Sequence, residues 1–258
     1  MRDMYQEFIE NKRANHLSPK TIKNYEYSIG RFVDWMGDRE LTQQIINKYF
    51  AELDYENFET IRTHARGVKV FLRFHGIGFD IPMPSLRRRN LLTQDSDSVD
   101  QALDGCTNDR DKALIMLLFD SGLRRGEVAN LRWSQVDLET GLVQVPEEGK
   151  TGHRIAMIGH RTRRALSRYQ NGEPLEGSVF GIGGGGIRHA INRIGANAGI
   201  PLTAQSFRRG FASECIRNGM NLVHVQSLMG HANIETTRRY ITVKEADLIE
   251  AYQDFGPI

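Results

Sequence analysis

The sequence predicts a mainly α-helical protein in two parts: an N-terminal four-helix domain, and a mixed, mostly helical domain with a small antiparallel β-sheet. Three observations predict it. Apolar residues recur at helical spacing through 19–36 and again through 58–72. A proline-containing stretch without helical period follows at 77–94. Beyond it the period changes at 142–158, to two short runs around a turn, before helices resume.

The first helix precedes residue 16. Ser18 and Pro19 start the second, as an N-cap followed by proline at the first helical position. Ile22, Tyr25, Ile29, Phe32, Val33 and Met36 line its inner face. Thr42 caps a third helix running through Leu53. Asn57 caps a fourth, with Phe58, Ile61, Ala65, Val68 and Leu72 inward and Gly76 ending it. These faces need one another for burial, so residues 1–80 form one domain. Residues 81–94 read as a linker, basic through Arg87, Arg88 and Arg89; those arginines can lie on a phosphate backbone or serve solubility alone.

The second domain is expected over 95–258. Helical signals run through "RDKALIMLLFDSG" and "LRRGEVANLRW". Strands at 142–145 and 154–158 flank a turn holding Glu147, Glu148, Gly149 and Lys150. Helices resume at 161–170 and around 187–197. Thr203 caps a helix through Asn218, a shorter one at 222–229 ends at Gly230, and a last helix closes the chain.

Composition narrows the class. No apolar run approaches the roughly 18 residues a membrane span needs, and the first residues lack a secretion-signal pattern. Cys106 and Cys215 stand far apart without CxxC or Cys/His spacing, which argues against a disulfide framework or a zinc site. An intracellular, cytoplasmic protein is expected. The net charge of +2 hides an asymmetry: residues 149–244 carry 14 lysines and arginines against 4 acids, whereas 95–148 carry 5 against 12. Such a field suits a phosphate polymer, or is a solvated basic surface. "GIGGGG" at 181–186 matches GxGxxG, but no convincing strand precedes it and no acid lies between Gly186 and Glu214. It reads as a loop before the helix "IRHAINRIG".

Tyr240 stands nine residues after His231, in "LMGHANIETTRRYITV". A phenol with a pKa of about 10 is a poor nucleophile near neutrality. Covalent chemistry there needs groups that take its proton and stabilise negative charge. The candidates are two arginines. In "SGLRRGEVANL", Ser121 or Gly122 can start a helix that places Arg124 in its first turn, with Glu127 three residues on to hold the guanidinium stem. In "TAQSFRRGFAS", Phe207 and Phe211 share a core-facing stripe, while Gln205 and Arg208 share another face. Two guanidiniums from different helices can fork onto the oxygens of one phosphate without metal.

Arg124 in "GLRRGE", Lys150 in its turn, Arg208 in "QSFRRGFAS", His231 after "LMG" and Tyr240 after "TTRR" resemble, in order and spacing, the two-domain type of the tyrosine recombinase (phage integrase) family. "LSPKTIKNYEYSIGRFVDWM" is similar to that family's core-binding domain, so nearly the whole chain is covered. The resemblance implies a SAM-like core-binding domain and a catalytic domain that can clamp double-stranded DNA. It implies site-specific strand cleavage through a 3′-phosphotyrosyl link with no metal or other cofactor. Tyr240 would attack, Arg124 and Arg208 would bind the phosphate, and Lys150 would protonate the 5′-oxygen. His231 would hydrogen-bond the phosphate or accept the tyrosine proton, or else only cap a neighbouring helix. Arg87, Arg88, Arg89, Arg209 and Arg238 are candidate DNA contacts. The chain starts almost at the core-binding helices, so the arm-binding domain of larger phage integrases is not expected. The last helix docks on a neighbouring subunit or on its own domain; docking on a neighbour implies a dimer, or a tetramer on paired sites.

One position departs from the family pattern. Gln205 stands where the second motif usually has histidine, and a glutamine amide can donate to phosphate but cannot take a proton. Slower cleavage is expected. The alternatives are a DNA-binding protein that no longer cuts, and a type IB topoisomerase that shares the phosphotyrosyl chemistry.

Overall fold

A computed structural model gives the structure over residues 1–53, 58–84, 91–146, 154–171 and 177–230. It divides into two compact units, Met1–Arg89 and Asn90–Ile258.

The first unit consists of α1 (Arg2–Ala14), α2 (Pro19–Met36), α3 (Gln43–Ala51) and α4 (Phe58–Phe74). The Ser18 side chain accepts from the Thr21 N–H and Thr42 from the Ile45 N–H, each satisfying a donor that an α-helix start leaves without a partner. Phe8, Ile29, Phe32, Met36, Ile46, Ala65, Val68 and Phe71 are fully buried in the shared core. The Phe8 ring meets Tyr25, Phe71 and Phe74 edge-on at 5.3, 5.6 and 5.4 Å, tying α1 to α2 and α4. Such pairs add about 0.5–1.5 kcal/mol each beyond burial. Phe58 differs from the expectation and is exposed. As the first residue of α4 its side chain tilts back toward the helix start, past the packed face.

His64 is buried on α4, hydrogen-bonded to the Tyr49 hydroxyl. Burial first, and then the Arg31 charge, lower its pKa to about 4. The native state therefore holds His64 neutral where an unfolded chain, near 6.5, already binds a proton. Its contribution is complete above about pH 6.5 and is lost as pH falls toward 4, at up to about 1.4 kcal/mol per pH unit. Urea melts of the wild type between these values should lose more stability than those of His64→Gln.

The second unit contains α5 (Ser96–Asp104), α6 (Asp109–Ser121), α7 (Arg125–Asn130), β1 (Leu142–Val145), β2 (Arg154–Met157), α8 (His160–Gln170), α9 (Gly184–Ala198), α10 (Ala204–Arg217) and α11 (Leu222–Met229). Helix α6 runs through the middle, with α5, α8 and α10 packed around it and Leu114, Ile115, Leu117 and Leu118 fully buried. β1 and β2 pair antiparallel, with Leu142 opposite Met157 and Val145 opposite Arg154. Arg154 is the first residue of β2, four positions after Lys150 in sequence. α7 packs on α9, and α11 on β2 and α10.

Two helix starts differ from expectation. Gly122 does not open α7; in left-handed conformation (φ 58°) it closes α6, and Arg124 is itself the extended N-cap of α7. The glycine run is not a loop throughout: Gly183 is the N-cap of α9, and Gly184, Gly185 and Gly186 form its first turn. Burial of Ile187, Ile191 and Ile194 outweighs the roughly 1 kcal/mol per residue that glycine costs a helix. No described helix is long and apolar enough to cross a membrane.

Candidate active site

The site assembles around the last carbonyls of α11. An α-helix leaves its final carbonyls without intrahelical partners and its C-terminus partially negative, so cations are stabilised there. Here three guanidiniums meet three consecutive carbonyls. Arg154 Nη1 donates to Leu228 O at 2.8 Å, Arg208 Nη2 donates to Met229 O, and Arg124 Nη2 donates to Gly230 O at 3.2 Å. Gly230 is left-handed (φ 61°), which ends α11 immediately before His231.

Arg208 comes from the middle of α10, where Thr203 caps the helix by accepting from the Ser206 N–H. Phe207, next to it, is fully buried in the main core, and Phe211 joins a smaller cluster with Val225 and Met229. Arg208 is 1% exposed, and its Nη1 donates to the carbonyl of Gly122. That carbonyl is fixed from two sides: Gly122 has positive φ, and a Cβ there would come within 2.5 Å of the Phe211 ring. Arg208 thus links the end of α6, two residues before Arg124, to the end of α11.

Arg124 is held from both its backbone and its side chain. Glu127 Oε2 accepts from the Arg124 N–H at 2.6 Å, and Oε1 from Arg124 Nη1 at 2.9 Å. This carboxylate reaching back over the N-cap is half of a capping box. The Arg124 side chain keeps 36% of its surface exposed. Gln205, in the first turn of α10, is exposed.

Arg154 was not among the residues the sequence singled out. It is 8% exposed, and its Nη2 donates to Glu127 Oε2 at 2.7 Å, so one buried carboxylate serves two arginines. Burial lowers the Arg154 pKa, Glu127 opposes that, and the charge of Arg124 adds to the lowering. A signal was present in "RIAM": alternation puts Arg154 on the same strand face as buried Ala156. A charged residue in that buried set requires a buried partner.

Arg209 is 9% exposed and its Nε donates to the Leu92 carbonyl at 2.6 Å, which places it against the chain entering this unit with little surface toward solvent. Its neighbour Gly210 allows the close approach, since a Cβ there would overlap the Gln94 carbonyl. Lys150, His231, Tyr240, Arg87, Arg88, Arg89 and Arg238, the cap Asn57 and the final helix lie outside the described residues.

Comparisons agree with this architecture. Residues 91–247 match the model described as the Phage integrase family, and residues 4–73 match Phage integrase, N-terminal SAM-like domain. The chain is 27% identical over 266 residues to "Tyrosine recombinase XerA" of Saccharolobus solfataricus, covering 97% of this chain and 91% of that protein. It is 28% identical to "Tyrosine recombinase XerD" of Bifidobacterium longum, covering 93% and 92%. Among solved structures, the fold is similar to that of the XerH site-specific recombinase bound to palindromic difH substrate in a post-cleavage complex (TM-score 0.72, 15% identity, 94% and 82% covered). It is also similar to the Tn1549 transposon integrase in complex with circular intermediate DNA (TM-score 0.73, 16% identity, 98% of each chain covered). With one family model over most of the second unit and its companion over the first, the chain belongs to the phage integrase family.

Proposed function

We propose that this protein is a site-specific tyrosine recombinase, which cuts and rejoins double-stranded DNA through a covalent 3′-phosphotyrosyl intermediate. The observation that supports this reading most is the meeting of Arg124 and Arg208, from distant parts of the chain, on the adjacent carbonyls of Gly230 and Met229, the residues that precede His231 in sequence. In the proposed reaction the Tyr240 oxygen attacks the scissile phosphorus as the bond to the 5′-oxygen breaks. Arg124 and Arg208 stabilise the charge on the non-bridging oxygens. His231 or water takes the phenolic proton, and Lys150 gives one to the departing 5′-oxygen. One phosphodiester replaces another, so rejoining needs no ATP. Arg87, Arg88, Arg89 and Arg238 contribute phosphate contacts outside the centre, whereas buried Arg209 acts mainly by tethering Leu92. Strand exchange takes place in a tetramer on two paired sites. The related proteins support this reading, since several are tyrosine recombinases by name and the similar structures include recombinases and integrases with DNA.

The test uses a duplex selected by the protein from a random library, nicked near the scissile position so that cleavage cannot reverse. Wild type should become covalently attached to DNA, Tyr240→Phe should bind without attachment, and two intact sites should give recombinant products. Binding without an adduct would indicate a DNA-binding protein that does not cut. Supercoil relaxation without paired sites would indicate a topoisomerase. Gln205 leads to a second expectation: Gln205→His should speed cleavage and add a pH dependence near the histidine pKa of about 6.5. A rate–pH profile of the two proteins checks it.

A further inference from the structure

We propose that Arg154 is a positioning residue for strand cleavage, holding Arg124 through their shared Glu127 carboxylate and the end of α11 through the Leu228 carbonyl. The proposal rests on the recombinase reading above. Arg154 is 8% exposed, and its two terminal nitrogens donate to the Glu127 carboxylate and the Leu228 carbonyl, so its charge is met by a buried carboxylate inside the protein. Its Nε is buried without a hydrogen-bond partner among the described residues. Packing alone does not call for such a pair, because a buried ion pair replaced as a whole by apolar residues of similar volume often costs little or no stability.

What a guanidinium adds is its fork. Two donors at a fixed angle bridge Oε2 of Glu127 and the α11 carbonyl, which one ammonium cannot reproduce. Glu127 in turn holds both the backbone and the side chain of Arg124. Removing Arg154 leaves Glu127 held by Arg124 alone, Arg124 with a looser anchor, and the segment before His231 with two of its three arginine donors. Arg154 begins β2, so the same contacts fix the strand leading out of the hairpin.

The experiment measures single-turnover cleavage by wild type, Arg154→Met, Arg154→Lys and Arg124→Ala. Two nicked substrates are compared: one with the natural scissile phosphate and one with a methylphosphonate there. Methyl in place of a non-bridging oxygen removes the negative charge, and with it much of the need for a well-placed arginine. Arg154→Met should slow cleavage of the phosphate by roughly 10- to 100-fold, with binding unchanged. On the methylphosphonate its deficit should shrink to within about threefold of wild type, as should that of Arg124→Ala. Arg154→Lys should show the same substrate dependence with a smaller loss, and it keeps the test alive should Arg154→Met fail to fold. An equal loss on both substrates, or wild-type rates on the phosphate, would overturn the proposal while leaving the recombinase reading intact. Absence of cleavage by wild type on either substrate would instead overturn that reading, and this proposal with it.

Discussion

Exchange of Arg208 for lysine is expected to lower single-turnover cleavage by about 10²- to 10³-fold, the scale seen when one donor to a developing oxyanion is removed. Charge is kept, so the loss isolates geometry. A guanidinium can serve the carbonyls of Gly122 and Met229 and still present a planar edge to a phosphate, whereas an ammonium is a single point. Arg208→Ala goes further. At 1% exposure, its removal leaves two carbonyls that lose a charged donor and a space where the side chain packed. That should cost about 3 kcal/mol. Thermal melts should therefore separate the two variants, with Arg208→Lys near wild type and Arg208→Ala several degrees lower, while both are defective in cleavage.

Glu127→Ala should produce the largest loss of stability. Its carboxylate lies between Arg124 and Arg154, with side-chain exposure of 7% for Glu127 and 6% for Arg154. Removing it takes from the buried Arg154 guanidinium its one ion-pair partner among the described residues, a change worth about 3–5 kcal/mol. For a unit of this size the melting temperature should fall by roughly 10 °C. Cleavage should fall as well, because the Arg124 N-cap loses the acceptor that fixes its backbone. Glu127→Gln keeps an acceptor oxygen and most of the volume, so its melting temperature should lie between those of wild type and Glu127→Ala. Differential scanning calorimetry of the three proteins checks the order.

Much of this architecture was legible because its signals are local. Ser18, Thr42 and Thr203 each precede an apolar helical period and each proves to be an N-cap. The pair of strands was visible as a change of period. The pairing of Arg124 with Glu127 follows from a spacing of three. Non-local features were less legible. Gly122 could open one helix or close another; what decides is its left-handed backbone and the Phe211 ring, 89 residues away in sequence. The glycine run at 183–186 has the composition of a loop, yet the buried isoleucines beyond it carry α9 back to Gly184. Arg154 has no local signature of its role, because its two partners, Glu127 and Leu228, lie 27 residues before it and 74 after it. The gathering of three arginines on the carbonyls of α11 is a tertiary fact that no local pattern encodes.

The chemical identity of the bond that joins protein to DNA decides most directly whether Tyr240 is the nucleophile. Wild type incubated with the nicked, selected duplex should be digested and its nucleotide-bearing peptide sequenced by mass spectrometry. A single adduct is expected, the Tyr240 oxygen esterified to a 3′-phosphate, formed by wild type and lost in both Tyr240→Phe and Arg208→Ala. Attachment at another residue, attachment through a 5′-phosphate, or an adduct that persists without Tyr240 would contradict it.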